Sequence, residues 1–215
     1  MASWAGQAIL FDLDGVLVDS IEASERIWRR WGDRHGVDRG RLVATIHNGS
    51  AHDSVAALAP ELDASAEAHA LEAEQAADIE GVVALPGAAE LIHALPPSRW
   101  AVVTGGTPVL ALARMDAAGL PRPLTLLTFD DVERGKPAPD GYLAAAERLG
   151  AEPADCLVVE NAPAGVAAGR SAGATVLAVL TSHPPEELAD AQLTAENLGA
   201  VRLLEADPPQ LETSA

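Results

Sequence analysis

Asp12 and Asp14 lie two residues apart, directly after the apolar run 8–11. That run has the length and composition of a buried strand, and open α/β sheets bind ligands at the carboxyl ends of such strands. Because the two carboxylates repel each other, both stay ionised only beside a cation such as Mg²⁺; otherwise the pKa of one rises. Asp12 could then act as a nucleophile while Asp14 holds or donates a proton. The alternative is that Asp14 and Gly15 only form a turn that closes the strand.

A second polar segment follows the apolar run 100–103. Thr104, Gly105 and Gly106 provide a hydroxyl and glycine-flanked amides at the predicted start of a helix, a geometry suited to phosphate oxygens. The alternative is an ordinary strand-to-helix turn with Thr107 as the N-cap.

Charged and amide side chains recur at two further places. Lys136 is the only lysine of the chain and lies in a loop stiffened by prolines, where its ammonium could screen the charge of Asp12 and bind a phosphate. Glu160 and Asn161 follow another apolar run and could be metal ligands or could support the ligands. Their alternative is a helix-capping turn with Asn161 as the cap.

Short apolar runs alternate with helix-period segments along most of the chain. The runs that predict buried parallel strands are 8–11, 100–103, 124–127, 156–159 and 175–180. The predicted helices between them are 87–95, 108–118, 142–149 and 164–172. This alternation is typical of an α/β fold with a doubly wound (Rossmann-like) parallel sheet.

Residues 18–85 interrupt the alternation, because they hold only helical patterns, such as 21–35, 53–58 and 64–79. We therefore predict a core domain built from residues 1–17 and 86–215, with residues 18–85 inserted as an α-helical cap domain. The segment 205–215, rich in proline and polar residues, is predicted to be a loose tail.

Composition restricts the partners. The 215 residues include 14 basic and 32 acidic side chains, for a formal charge of −18, so nucleic acid and anionic membranes should be repelled. The single cysteine excludes a disulfide framework, and neither a signal peptide nor an apolar run of about 20 residues is visible. We expect a cytoplasmic monomer or weak dimer that acts on a small phosphorylated metabolite, held by local chemistry.

These segments together resemble the motifs of the haloacid dehalogenase (HAD) superfamily, and nearly the whole chain takes part. The resemblance implies that Asp12 is the nucleophile that forms an aspartyl-phosphate and that Asp14 is the general acid and base. Thr104 matches the hydroxyl of the second motif, and Lys136 matches the lysine of the third.

The same resemblance implies a magnesium site and a cap. Glu160 and Asn161 fall on the acidic pair of the fourth motif, which in the family binds Mg²⁺ together with the first aspartate and the backbone carbonyl of the second, here Asp12 and Asp14. The helical insertion matches the C1 cap that closes over the active site.

Within the superfamily, the segments 46–49, 100–107, 131–137 and 159–169 look most like the glycerol-phosphate and 2-deoxyglucose-6-phosphate phosphatases. The expected function is therefore Mg²⁺-dependent hydrolysis of a small sugar, polyol or cyclitol phosphate. Phosphonatases need a cap lysine, which residues 18–85 lack. Dehalogenases lack the second aspartate, which is present here as Asp14.

Two alternatives stay open. A β-phosphoglucomutase-like phosphotransferase would carry a cap histidine where this chain has Ser24. A HAD-fold binding or regulatory module with weakened catalysis is suggested by Asn161, where the family usually has Asp, and by Gly105, where relatives commonly have Ser.

Cap residues complete the predictions. His47 and Glu25 are candidates to bind substrate hydroxyls. Trp28 and Trp31, three residues apart on a helical pattern, are assigned to the core of the cap. The acidic run 61–80 is assigned to a solvated helix face.

Overall fold

The computed structural model describes residues 2–46 and 50–213. The strands of that part of the chain are β1 (Ala2–Ala5), β2 (Ala8–Phe11), β3 (Val18–Asp19), β4 (Val83–Ala84), β5 (Trp100–Val103), β6 (Leu126–Leu127), β7 (Cys156–Glu160), β8 (Thr175–Val179), β9 (Leu193–Ala195), β10 (Val201–Ala206) and β11 (Pro209–Thr213). Its α-helices are α1 (Ile21–His35), α2 (Arg39–Thr45), α3 (Ala51–Leu58), α4 (Ala64–Ala77), α5 (Ala88–Ala94), α6 (Pro108–Ala117), α7 (Asp140–Leu149) and α8 (Pro163–Ser171). Within these residues, no helix is both long enough and apolar enough to span a bilayer.

Six parallel strands form the central sheet in the order β6-β5-β2-β7-β8-β9. The chain extends the sheet on one side of β2 first and then on the other, so β2 lies at the switch point between β5 and β7. In such sheets a crevice opens at the carboxyl ends of the strands that flank the switch point. The predicted α/β fold with a doubly wound parallel sheet is confirmed.

Side chains of the central strands alternate between two apolar layers. Ile9 and Phe11 pack into the layer that includes residues of α5 and α6, whereas Ala8 and Leu10 pack into the layer that includes residues of α7 and α8. Because both faces of the sheet are covered, its strands are apolar throughout rather than alternating with polar residues. Cys156 lies in the second layer, and burial raises the pKa of its thiol to about 11, as expected for an unreactive cysteine.

Helices α1–α4 build a separate apolar cluster in the segment predicted to be the cap. Trp28 and Trp31 lie in this cluster with ring centroids 5.5 Å apart, which confirms their predicted packing role. The prediction of purely helical structure was wrong at the two ends, because Val18 pairs with Ala84 in the short antiparallel ribbon β3–β4. Strands of two residues are too short to show a period in sequence. The division of the chain at residues 17/18 and 85/86 stays a prediction.

The predicted loose tail is wrong. β10 and β11 form an antiparallel hairpin, and β11 also pairs with β1 at the start of the chain. Leu211 is only 2 % exposed and packs into the first apolar layer of the core. Residues of β11 alternate between buried and half-buried positions, but their polar and proline content does not show this period of two in the sequence. One strand that pairs with β11 is β1, at the start of the described chain, and sequence patterns cannot reveal so distant a partner.

The two edges of the central sheet also differ from prediction. β6 covers only Leu126–Leu127, and Leu124 of the predicted strand is exposed, since it follows Pro123, which has no backbone N–H for a ladder. β9 was not predicted, because its three residues include a single large apolar side chain.

Leu211→Ala tests the structural role of the terminal hairpin. Removing a buried leucine side chain leaves a cavity, so we expect a loss of about 2–4 kcal/mol in the free energy of unfolding, measured by urea denaturation. Leu204→Ala on the adjacent strand is the matched control, because Leu204 is 48 % exposed and should change stability by less than about 0.5 kcal/mol. Equal effects of the two substitutions would contradict a packed hairpin.

Candidate active site

The predicted chemical residues lie at the carboxyl ends of three adjacent strands. Asp12 directly follows β2, Thr104 directly follows β5, and Glu160 is the last residue of β7. Because β5 and β7 flank β2, parallel pairing alone brings these three side chains to one edge of the sheet. Lys136 reaches the same place from the loop before α7.

Lys136 joins the three strand ends. Its Nζ lies 2.5 Å from Oδ1 of Asp12, 2.6 Å from Oε1 of Glu160 and 3.0 Å from the carbonyl oxygen of Val103, and it donates to all of them. Burial alone would lower the pKa of Lys136, but the Asp12 and Glu160 carboxylates outweigh burial and raise it. The ammonium is therefore charged at neutral pH.

Asp12 is the carboxylate with the unusual proton affinity. Its pKa is raised to about 7: burial is the largest cause, Lys136 opposes the shift, and Glu160 and Asp14 add to it. One ammonium shared with Glu160 is thus insufficient to keep Asp12 fully ionised at neutral pH. A second cation beside Asp12 would lower its pKa and make it a competent nucleophile.

Glu160 supports Lys136 and is itself held by further hydrogen bonds. Its Oε1 accepts hydrogen bonds from Lys136 and from the Tyr142 hydroxyl at 2.7 Å, and its Oε2 accepts from the backbone N–H of Asn161 at 3.0 Å. The side chain is 1 % exposed. A Cβ at Gly165 in α8 would lie 1.8 Å from Oε1, so only glycine fits there.

Asn161 presents an amide oxygen beside Asp12's strand. Its Nδ2 donates to Oγ of Ser182 at 2.7 Å, which orients the amide group, and no donor within residues 2–46 and 50–213 bonds to its Oδ1. Gly15, at φ +85°, allows this packing, because a Cβ there would lie 2.1 Å from Nδ2. The side chain makes no cap for α8, whose N-cap is Ala162.

Oxygen donors of this kind suit Mg²⁺. Oδ2 of Asp12 accepts no hydrogen bond from the described residues, so this oxygen and Oδ1 of Asn161 are available as one anionic and one neutral ligand. The described residues contain no group of three or more histidine, cysteine, aspartate or glutamate side chains able to hold a metal by themselves. The residues therefore fit a hard cation that takes its remaining oxygens from backbone, water or a bound phosphate.

Asp14 points away from Lys136 and has its own partners. Its Oδ1 accepts from the Ser20 hydroxyl at 2.7 Å, and its Oδ2 lies 2.7 Å from Nη1 of Arg114. The two aspartates thus bind different cations although only one residue separates them.

The loop after β5 has the form expected of a phosphate cradle. The backbone N–H of Gly106 donates to Oγ1 of Thr104 at 3.2 Å, which fixes the hydroxyl at the end of the strand. Nothing lies within 4 Å of a Cβ built at Gly105, so the missing side chain leaves open space there. Thr107 is the N-cap of α6 without a side-chain capping bond; its backbone N–H donates instead to Oε2 of Glu72 at 2.5 Å.

Glu72 corrects the interpretation of the acidic run 61–80 as a solvated face. It lies in α4, is 5 % exposed and faces α6, and burial raises its pKa while the Thr107 N–H and Arg114 oppose the shift. Other acidic residues of α4 are more exposed, such as Glu74, which pairs with Arg34.

The cavity over these groups measures about 630 Å³ and is shared by the sheet edge and the cap segment. The cap contributes polar side chains to its wall: Ser20, Ser24, Ser50, Asp53, Glu72 and Gln75. A space of this size accommodates a small phosphorylated metabolite.

One of the two substrate-binding residues predicted in the cap is not part of this group. His47 lies outside the described residues. Glu25 pairs with Arg29 one turn along α1 and is not part of the cavity wall.

Four residues of the site were not predicted from the sequence: Arg114, Gln75, Tyr142 and Ser182. Arg114 pairs with Asp14, Tyr142 donates to Glu160, Ser182 accepts from Asn161, and Gln75 accepts from Arg114. Arg114 carried a usable signal: it occupies the buried face of α6 together with Leu110, Ala111 and Met115. A charged residue on an apolar helix face requires a buried partner.

Comparisons with known proteins agree with this geometry. A family model described as haloacid dehalogenase-like hydrolase matches residues 7–173. Hexitol phosphatase A of Escherichia coli (strain K12) is 43% identical over 197 residues, covering 89% of this chain and 91% of that protein. Glycerol-1-phosphate phosphohydrolase 2 of Saccharomyces cerevisiae is 35% identical over 187 residues, covering 81% of this chain and 75% of that protein. The crystal structure of a hydrolase from Pseudomonas syringae superimposes with a TM-score of 0.74 at 29% identity, covering 90% of this chain and 94% of that one.

Lys136→Met tests the charge balance of the site. The substitution leaves the buried Glu160 carboxylate without a cation, so we expect the free energy of unfolding at pH 7 to fall by about 3 kcal/mol in urea denaturation. Adding Glu160→Gln should recover most of that loss, because the amide needs no counter-charge.

The matched control is Arg134→Met in the same loop. Arg134 is exposed and pairs with Asp140, so its loss should cost less than about 1 kcal/mol. If Lys136→Met were no more destabilising than this control, the ion pairs of Lys136 would not hold the site together.

Proposed function

The chain belongs to the haloacid dehalogenase-like hydrolase family, and we propose that it is a Mg²⁺-dependent phosphatase of a small sugar, polyol or cyclitol phosphate. The observation that carries the proposal is the placement of Asp12: it ends the central strand, pairs with Lys136 and faces a cavity shared with the cap. Two similar proteins, a hexitol phosphatase and a glycerol-1-phosphate phosphohydrolase, support the substrate class.

Phosphoryl transfer begins at Asp12. A carboxylate oxygen of Asp12 attacks phosphorus, the bond from phosphorus to the alcohol oxygen breaks, and Asp14 gives that oxygen a proton. The Lys136 ammonium, the Thr104 hydroxyl and the amides of Gly105 and Gly106 stabilise the charge on the transferred group.

The aspartyl-phosphate is then hydrolysed. Asp14, now ionised, takes a proton from a water molecule, the resulting hydroxide attacks phosphorus, and inorganic phosphate leaves with Asp12 restored. The cap segment excludes bulk water during both steps, because the cavity wall includes its helices α1 and α4.

Mg²⁺ would be held by Asp12 and Asn161, with the backbone carbonyl of Asp14 as the third protein ligand that the family resemblance implies. When bound, the ion supplies positive charge that keeps Asp12 ionised and neutralises the phosphate oxygens. Glu160 stays a predicted ligand; its oxygens accept hydrogen bonds from Lys136, Tyr142 and backbone N–H groups, through which it also supports Lys136.

The cap wall favours a polyhydroxylated substrate. Ser50, Asp53 and Glu72 present hydroxyl and carboxylate groups to the cavity, and such groups bind sugar or polyol hydroxyls. Ser24 occupies the place of the cap histidine of a β-phosphoglucomutase-like enzyme, and its hydroxyl is bonded to Gln75 and Arg114. This arrangement favours transfer to water over transfer to a second sugar hydroxyl.

Asp12→Asn tests the proposed activity. Loss of the nucleophile should reduce Mg²⁺-dependent phosphate release by at least about 1,000-fold on a panel of hexitol phosphates, glycerol 1-phosphate and p-nitrophenyl phosphate. Removal of Mg²⁺ with EDTA should abolish release by the unmodified protein. Asp116→Asn, at an exposed ion pair with Arg122, is the matched control and should retain full activity.

Two results would contradict the proposal. Full activity of Asp12→Asn would exclude an aspartyl-phosphate. An absence of Mg²⁺-dependent turnover by the unmodified protein on every ester would favour the binding or regulatory alternative that Asn161 and Gly105 suggest.

Asn161→Asp tests the metal ligand. A carboxylate attracts Mg²⁺ more strongly than an amide, so the Mg²⁺ concentration for half-maximal activity should fall on the order of tenfold. Asn197→Asp is the control for the same chemical change, because Asn197 caps a short turn before β10, outside the cavity. An unchanged Mg²⁺ titration for Asn161→Asp would exclude Asn161 as a ligand.

A further inference from the structure

Arg114 connects the second aspartate to the cap. It lies in the last turn of α6, is 5 % exposed, and sends its guanidinium across the boundary between core and cap. One nitrogen, Nη1, lies 2.7 Å from Asp14, and the other, Nη2, donates to Ser24 at 2.5 Å and Gln75 at 2.6 Å.

The cap partners come from two different helices. Ser24 belongs to α1 and Gln75 to α4, and the Ser24 hydroxyl donates to Oε1 of Gln75 at 2.9 Å. This triangle holds one end of the guanidinium only while both helices lie against α6. Since a guanidinium is planar and rigid, fixing Nη2 also fixes the direction in which Nη1 meets Asp14.

A second bond joins α4 to α6. Glu72, one turn before Gln75 in α4, accepts from the backbone N–H of Thr107 at the start of α6. The contact between α4 and α6 therefore has two polar anchors about two turns apart on α6, so it defines both the distance and the rotation of α4 relative to Arg114.

The charges of the site are divided between two cations. Lys136 pairs with Asp12 and Glu160, whereas the ion pair of Asp14 in the described residues is with Arg114. Ser20 is the other partner of the Asp14 side chain and lies at the start of α1, again on the cap side. Within the described residues, both side-chain partners of Asp14 thus depend on the cap. Ser20 lies on the cap side, and Arg114 is bonded to the cap residues Ser24 and Gln75.

We propose that Arg114 is a positioning residue that places the carboxyl group of Asp14 for proton transfer to the leaving alcohol only when the cap is closed. Arg114 does not contact the substrate in this role; it acts through Asp14. The proposal rests on the proposed phosphatase function. Opening the cap removes Ser24 and Gln75 from the guanidinium, so the carboxyl group of Asp14 loses its fixed direction. This loss precedes free exchange of an alcohol or a water molecule between the cavity and bulk solvent.

A purely structural ion pair would behave differently. If Arg114 only held the fold together, its loss would reduce the reaction of all substrates by a similar factor. If it positions the proton donor, the loss should depend on how much the leaving group needs a proton. The alcohol of a polyol phosphate leaves poorly without one, whereas p-nitrophenolate leaves readily as an anion.

The experiment compares kcat/KM of Arg114→Met on two esters with saturating Mg²⁺. The esters are p-nitrophenyl phosphate and either glycerol 1-phosphate or a hexitol 6-phosphate, whichever the unmodified protein hydrolyses faster. This ratio covers the steps up to release of the alcohol. We expect a loss on the order of 100-fold for the polyol ester and below about 5-fold for the nitrophenyl ester.

Two controls accompany the variant. Arg114→Lys keeps a cation near Asp14 and should recover part of the polyol activity. Arg122→Met, the same change at an exposed arginine paired with Asp116, should alter neither ester. Similar losses on both esters, or no loss on either, would overturn the positioning role.

Gln75→Leu tests the cap side and serves also if Arg114→Met does not fold. It removes one of the two cap acceptors of Nη2 without touching Asp14, so it should produce the same preference for the nitrophenyl ester, on the order of 10-fold. Its effect should not add to that of Arg114→Met in the double variant, because both act through one guanidinium. An equal effect of Gln75→Leu on both esters would overturn the link to the cap.

The outcomes separate this inference from the proposed function. Failure of the unmodified protein to hydrolyse either ester with Mg²⁺ would overturn both. Normal turnover with unselective losses in the variants would overturn the role of Arg114 alone.

Discussion

The shared ion pair of Lys136 with Asp12 and Glu160 is the interaction on which the site depends. It brings a positive charge to the point where three strands end, and two of those strands end on a carboxylate. A buried carboxylate without a counter-charge costs several kcal/mol. The only lysine of a chain with a formal charge of −18 is therefore used inside the molecule rather than on its surface.

The pKa of Asp12 is raised to about 7 mainly by burial, and one ammonium shared between two carboxylates does not offset that shift. In the proposed function, a cation at Asp12 would favour its ionised form and would bind phosphate oxygens. Asn161, the proposed second ligand, is a neutral amide and would add no further negative charge to a site rich in carboxylates. The two carboxylates of the first motif avoid each other by binding separate cations, Lys136 and Arg114.

The cap segment reaches the site through its contacts with α6. Glu72 and Gln75 lie one turn apart on α4, and their partners, the backbone of Thr107 and the side chain of Arg114, lie at two levels of α6. Closing the cavity and orienting Asp14 are thus parts of one contact surface. Helix α6 therefore does more than cover the sheet, because it carries the arginine that contacts both Asp14 and the cap segment.

The sequence by itself determined the alternation of the strands β2, β5, β7 and β8 with the helices α5–α8, the helical insertion, and the placement of Asp12, Thr104, Lys136 and Glu160. These follow from local signals: apolar runs mark buried strands, and polar residues directly after them must meet at one edge of a parallel sheet. Tertiary structure alone decided which partner each charge takes. Arg114 binds Asp14, Glu160 serves Lys136, and the residues around Leu211 form a hairpin on the first strand of the chain. Each of these contacts joins residues far apart in sequence, and no local period or propensity encodes a distance between such residues.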